Sequence, residues 1–257
     1  MSLTDTHAHL YLPEFDNDRE VVIQTALDAG VERIFLPNIN LSTLNPMLTL
    51  CQKYERNLWP MIGLHPSSVR TDYDSTLQKL ESVLKTRQFI AVGETGIDLY
   101  WDKTFRNEQM AAFRTQIKWA IHYQLPVVIH SRESFDEIFS VIDEFRDQPL
   151  TGVFHSFTGS LNQARHAIDL GFLIGIGGIV TFRNSDLKTV LKQIDPQHII
   201  LETDAPYLAP VPKRGKRNEC SFLIHTARFV ADLYGMNEKL FIDLTTQNAL
   251  RLFNHAK

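Results

Sequence analysis

Cysteine is nearly absent: the 257 residues contain two, Cys51 and Cys220. They form no CxxC and no disulfide framework, which excludes a cystine-stapled secreted scaffold and fits a reducing cytosol. Long hydrophobic runs are missing too. None approaches the ~18–20 residues that span a bilayer. The opening Met-Ser-Leu-Thr-Asp-Thr-His-Ala-His has no basic region ahead of an apolar stretch, so neither an anchor nor a signal peptide is expected. Nor is there an excess of positive charge. The 26 Lys and Arg face 30 Asp and Glu, a net charge of −4. That excludes a bulk electrostatic grip on nucleic acid and leaves only a local basic patch open. Low-complexity linkers and composition shifts are lacking, so one domain, 1–257, is expected. What is present is core-forming material: 44% hydrophobic and 22% charged residues exclude a disordered chain.

Short apolar runs rich in Val, Ile and Phe recur at 3–6, 31–37, 59–64, 89–93, 126–129, 152–154, 172–176 and 198–201. Strands buried on both faces have this nearly continuous apolar character. Helical patterns lie between them. One covers 18–29 and closes at Gly30, one covers 104–123, and one covers 160–170, opening on an N-capping serine and closing at Gly171. Two more, about 221–234 and 238–254, follow the last strand. Eight strands at intervals of about 28 residues are the rhythm of repeated βα units. The pattern predicts an α/β fold: a single-domain (β/α)8 TIM barrel, regular or distorted, with extra C-terminal helices. An open doubly wound sheet is the alternative.

In such a barrel the catalytic residues sit at the C-terminal ends of strands. The expected strand ends here read Asp5-Thr6-His7-Ala8-His9, Gly63-Leu64-His65-Pro66, Gly93-Glu94-Thr95-Gly96, His130-Ser131-Arg132, His155-Ser156 and Glu202-Thr203-Asp204. Five of the ten histidines fall there, while His122, His166, His225 and His255 fall on helices. His7 and His9, two apart on a strand, point to the same side. A lone His-x-His is a weak sign of metal. Joined by Glu94, His130, His155 and Asp204 at equivalent positions, it becomes a strong one. Burying that many imidazoles and carboxylates without a cation is costly. Six candidate ligands exceed the three or four of one catalytic zinc. Two divalent ions sharing a carboxylate and activating a water would use all of them. Imidazole-rich ligation favours Zn, Mn, Fe, Co or Ni, with Mg a weaker candidate.

The chain resembles the TatD family of metal-dependent deoxyribonucleases, a branch of the amidohydrolase-like barrels. The resemblance rests on DTHAHL at 5–10, GLHP at 63–66, VGETGIDLYW at 92–101, LPVVIHSRES at 125–134, HSFTGS at 155–160, GFLIGIGG at 171–178, LETDAPYLAP at 201–210 and KRGKRNE at 213–219. It runs nearly end to end. It implies one ion on His7, His9 and Asp204, a second on His130 and His155, and Glu94 bridging the two. One departure is visible: Asn218-Glu219-Cys220 stands where the family pattern often has Asn-Glu-Pro. Cys220 reads first as a small buried hydrophobe and second as a reactive thiol near the mouth.

The expected reaction is hydrolysis of a phosphodiester by water activated between two ions, Mg, Mn or Zn. Asp204 would orient that water or take its proton, and Glu94 would fix the metal spacing. His65 and Arg132 are candidates to contact phosphate, Arg132 through its planar fork. Lys213, Arg214, Lys216 and Arg217 put four cations in five residues, with Arg214 and Arg217 as phosphate contacts. Tyr100, Trp101, Phe157 and Tyr207 are candidates to stack on bases. No helix-turn-helix, zinc-finger or RNP pattern appears, so the grip falls on a strand end. The resemblance implies a 3′→5′ exonuclease on single-stranded DNA, with RNA also open, in DNA repair. The expected protein is a cytoplasmic monomer without membrane contact. The alternative is a small-molecule hydrolase of an ester, amide or phosphoester, since fold does not fix substrate. No lysine stands at the end of strand 4 or 5 to form a carbamylated bridge; Glu94 fills that role. A non-enzymatic metal-binding scaffold is a third reading. It fits worst, because six ligands on two ions leave open positions that structural sites avoid.

Overall fold

A computed structural model describes residues 2–100 and 102–253. Eight strands appear in chain order: β1 (Leu3–Asp5), β2 (Val31–Pro37), β3 (Leu58–Met61), β4 (Val92–Asp98), β5 (Val127–Arg132), β6 (Gly152–Phe154), β7 (Phe172–Ile176) and β8 (Ile199–Leu201). All pair in parallel with their sequence neighbours, as a three-stranded sheet β1-β2-β3 and a five-stranded sheet β4 to β8. Two seams close the ring. Ile62 bridges to Val92 between β3 and β4, and Ala8 bridges to Ala205 between β8 and β1. Gly93 N–H donates to Ile62 O at 2.8 Å, and Asp204 N–H donates to His7 O at 2.8 Å. The fold is the expected (β/α)8 barrel, distorted at these seams, and the open sheet is excluded by the closure.

Helices cover the strands: α1 (Arg19–Asp28), α2 (Leu41–Lys53), α3 (Tyr73–Leu84), α4 (Arg106–Tyr123), α5 (Phe135–Asp143), α6 (Leu161–Asp169) and α7 (Leu187–Leu191), then α8 (Leu223–Tyr234) and α9 (Glu238–Leu252). Ser160 and Gln163 form a reciprocal capping box that starts α6, and Asn40 with Thr43 does the same for α2. Asn254 and His255, expected in or after the last helix, lie outside the described residues. Among the described residues no helix is long and apolar enough to cross a membrane.

The barrel interior is a packed core. Phe35, Met61, Ala91, Val128, Val153 and Ile200 fill it, and Ala249 and Phe253 from the end of α9 plug its base. The Phe35 and Phe253 rings meet edge-on at 4.8 Å. A separate, larger apolar layer lies between strands and helices. With the interior filled, the polar strand-end residues gather only at the C-terminal mouth.

Three strand boundaries differ by several residues from the sequence reading. β3 runs Leu58–Met61 rather than 59–64, β4 runs Val92–Asp98 rather than 89–93, and β5 extends through Arg132. Glu94 and His130 therefore sit inside strands. The reason is local. β4 carries a register irregularity between Val92 and Thr95 and takes glycine backbone conformations at Gly93 and Gly96. A Cβ on Gly96 would lie 2.1 Å from His130 O. Polar residues can continue the strand because each meets a partner at the mouth.

Candidate metal centre

A cavity of about 640 Å³ opens at the mouth, lined by His9, His65, Glu94, Asp98, His130, His155 and Asp204, with Arg132, Tyr207 and Leu208 among its outer wall. His7 lies buried behind it. Glu94 is the hub. Its Oε2 is 3.1 Å from His7 Nε2 and 3.7 Å from His9 Nε2. Its Oε1 is 2.8 Å from His130 Nδ1, 3.4 Å from His65 Nε2 and 3.7 Å from His155 Nε2. Asp204 Oδ1 stands 3.5 Å from His9 Nε2, 3.8 Å from His155 Nε2 and 3.9 Å from His7 Nε2. The structure thus brings all six expected ligands together and adds His65.

Burial and charge work against each other here. Burial disfavours the Glu94 carboxylate, but His65, His7, His155 and the His130 hydrogen bond together hold it well below the usual range. Burial, then the neighbouring His155 charge, pushes His7 down to about 4. His155 rises to about 10: burial opposes the charge, and Glu202 with Glu94 outweighs it. His130 rises to about 9 for the same reason, through Asp98 and Glu94. His7 and His155 stack with ring centres 3.5 Å apart. One is neutral and the other charged, so the stack is not a clash of two cations. Two imidazolium protons stand where the carboxylates require positive charge, and a divalent cation can take their place.

The outer nitrogens of these rings have distinct partners. His130 Nε2 meets Asp98 Oδ2 at 3.0 Å, and His155 Nδ1 lies 3.0 Å from Glu202 Oε1. His9 Nδ1 is 2.9 Å from Tyr11 Oη, whose one proton goes to Pro37 O at 2.6 Å. The phenol oxygen can then only accept, so His9 carries its proton on Nδ1. His9 and His130 each have a hydrogen-bond acceptor outside and an inner nitrogen facing the cavity, which could give a lone pair to a metal once His130 has released its proton, the arrangement that orients metal-bound histidines. Among the described residues the buried Nδ1 atoms of His7 and His155 have no hydrogen-bond partner, His155 Nδ1 standing beside the Glu202 charge without hydrogen-bond geometry. The donor set therefore fits divalent cations.

Asp5 ties the β1/β8 seam beneath the site. Its carboxyl accepts Thr203 N–H at 2.9 Å, Thr203 Oγ1–H at 2.6 Å and His7 N–H at 3.3 Å. Burial raises it to about 7, the hydrogen bonds offsetting only part of that. Asp204 takes φ +57°, a left-handed conformation rare outside glycine and found at functional sites. Sequence reasoning missed Asp5, Tyr11, Asp98 and Glu202 as supports. For one of them a signal existed: Asp98 follows Glu94 by four within β4, so the strand places both on one side. Asp5 gave none, because its partner is 198 residues away.

The substrate-side candidates divide. Arg132 lines the cavity and lays its guanidinium over the Tyr100 ring at 3.8 Å. Tyr207 also lines it, exposed, with its ring centre 6.3 Å from that of His9. Arg214 is exposed and stacks on Phe182 at 3.8 Å, off the cavity wall. Arg217 corrects the expectation. It forks onto Asp18 at 2.9 and 2.7 Å, meets Glu219 at 3.1 Å and covers the Phe15 ring, so its donors are committed to the fold. Phe157 is buried against Phe135 at 5.4 Å and offers no face to a base. Trp101 lies outside the described residues. Cys220 is fully buried, 3.9 Å from Thr203 Oγ1, and burial and Asp5 push its thiol well up. It is a packing residue and not a reactive thiol.

A family model described as TatD related DNase matches residues 4–254. The chain is 35% identical to "Uncharacterized metal-dependent hydrolase YabD" of Bacillus subtilis (strain 168), covering 98% of each chain. It is 32% identical to "3'-5' ssDNA/RNA exonuclease TatD" of Cronobacter sakazakii, covering 93% of each. The crystal structure of YJJV, a TatD homolog from Escherichia coli K12, superposes with a TM-score of 0.92 at 32% identity, covering 98% of both chains.

Proposed function

Since the chain belongs to the TatD family of metal-dependent hydrolases, we propose that it is a two-metal 3′→5′ exonuclease acting on single-stranded DNA, with RNA as a second substrate. The observation that carries this is the split of Glu94: Oε2 faces His7 and His9, while Oε1 faces His130 and His155. In this reading His7, His9 and Asp204 would hold one ion, His130 and His155 would hold the other, and Glu94 would serve both. Divalent ions there, Mg, Mn or Zn, supply a Lewis acid that acidifies water and neutralises phosphoryl charge.

The chain's own residues do the rest. Asp204 presents Oδ1 among three imidazoles at the cavity, with burial opposed by those imidazoles keeping it ionised, so it can accept the proton of the attacking water. Asp98 and Tyr11 hold the His130 and His9 rings in their tautomers, and the Glu202 charge lies beside His155. Arg132 offers its fork to phosphate from a ring-backed position. Tyr207 and Leu208 give the rim an exposed apolar face for the terminal base. Arg214 stands farther out, suited to a second phosphate. The packed barrel interior closes the cavity from below, which supports recognition of a strand end over a through-going groove. Relatives named as ssDNA/RNA exonucleases support the same substrate class.

The test uses metal-stripped protein reloaded with Mg, Mn or Zn in turn, given single-stranded DNA labelled at its 5′ end. The expected result is a ladder of shortening labelled products that requires metal and disappears in Glu94→Ala. No cleavage with any metal, despite bound ions, would replace this reading with hydrolysis of a small-molecule ester or amide.

A further inference from the structure

By donor type and spacing, His65, Glu94 and His130 could hold an ion of their own. We infer instead that His65 is not a ligand: it is a fixed N–H donor to the phosphate of the substrate, set in that state by the backbone of Ser67. This rests on the reading above and names what one wall of the same cavity does.

His65 caps a short helical turn, Pro66–Ser68. Its Nδ1 accepts the Ser67 backbone N–H at 3.0 Å, with Ser67 Oγ 2.7 Å from the same nitrogen. A backbone N–H can only donate, so Nδ1 must present its lone pair. A neutral imidazole with a bare Nδ1 carries its proton on Nε2. That nitrogen faces the cavity, 3.4 Å from Glu94 Oε1, with the ring edge-on to His130 at 4.6 Å. His9 and His130 have the opposite arrangement. Each has an acceptor outside, so each inner nitrogen can ligate. Ligation through His65 Nε2 would require an imidazolate or rupture of the Ser67 hydrogen bond. The proton on Nε2 instead faces the cavity beside the Glu94 carboxylate, where a non-bridging phosphate oxygen of the substrate could accept it. A preorganised donor at such an oxygen acts on developing charge, and losing one costs about 10²–10³ in kcat.

Bound Mn or Zn is counted by elemental analysis and its Kd measured by titration for the parent, His65→Ala and His65→Gln. The same samples are then assayed on 5′-labelled single-stranded DNA. Both variants are expected to bind as many ions as the parent, with Kd unchanged within about twofold, a ligand loss being worth far more. His65→Ala should lose about 10²–10³ in kcat with KM little changed. His65→Gln should recover part of that, because its amide still donates. One ion fewer, or markedly weaker binding, in the folded variant would make His65 a ligand and overturn the inference. So would cleavage by His65→Ala at the parental rate. Should the alanine variant fail to fold, the ion count of His65→Gln decides. If the parent itself leaves DNA intact, the exonuclease reading fails, while the ion count still decides whether His65 ligates.

Discussion

Tyr11→Phe removes a single oxygen from the support of one ligand. The phenol is buried, donates to Pro37 O at 2.6 Å and accepts from His9 Nδ1 at 2.9 Å. Phenylalanine keeps the ring, which meets His9 edge-on at 5.9 Å, so packing is preserved. Two consequences follow. Pro37 O and His9 Nδ1 lose a buried partner, which costs about 1–3 kcal/mol of stability. His9 then lowers its own penalty by moving the proton to Nε2, where Asp204 Oδ1 at 3.5 Å can accept it. The nitrogen that faces the site no longer has a lone pair. Loss of such an outer partner weakens metal binding about 10–100-fold, or about 1.4–2.7 kcal/mol. The assay is competition for Mn or Zn against a chelator of known affinity, with thermal melting of metal-free protein alongside. A lower Tm with a metal Kd within about twofold of the parent would refute the tautomer reasoning, because the phenol would then be structural only.

Metal affinity should rise steeply with pH. His130 and His155, raised to about 9 and about 10, are protonated at neutral pH in the metal-free protein, so protons compete with the ion below those values. Up to two protons should be released per protein, measurable by calorimetry in buffers of different ionisation enthalpy. The stability these two charged rings lend the metal-free fold is full below their unfolded pKa near 6.5 and is lost as pH rises through 9 to 10. Asp5 acts in a different window. Its folded pKa of about 7 lies above the unfolded 3.8, so the fold holds the extra proton and stability falls as pH rises between them, by up to roughly 4 kcal/mol. Asp5→Asn should flatten that part of the denaturation profile, and an unchanged slope would remove Asp5 as its source. Arg217→Ala should lower Tm with little change in KM, since its donors serve Asp18 and Glu219. Arg214→Ala should instead leave Tm nearly unchanged and reduce the salt dependence of DNA binding by about one phosphate contact. The reverse pattern would exchange their roles.

Much of the fold was legible because it depends on local pattern. Apolar runs of strand length, the glycines at 30 and 171 and the serine cap at 160 are read from neighbours in the chain, and they define the βα rhythm of the barrel. The convergence of His7, His9, Glu94, His130, His155 and Asp204 followed from a rule of the fold: strand ends of a parallel barrel share one mouth. Cys220 is the buried apolar filler that an isolated cysteine most often is.

Tertiary contact decided the rest. Whether an arginine in KRGKR reaches substrate depends on what else is nearby: Asp18, nearly two hundred residues away, claims Arg217, while the exposed Arg214 only stacks on Phe182. Phe157 lost its candidacy to a buried aromatic cluster that no motif announces. The extent of β4 depended on how closely Gly96 lies against His130, a distance between strands. Most of all, the sequence determined which histidines meet but not what each carries. The proton position on His9 or His65 is set by the hydrogen bond on its far side, to a phenol in one case and a backbone N–H in the other, and that bond exists only once the chain has folded.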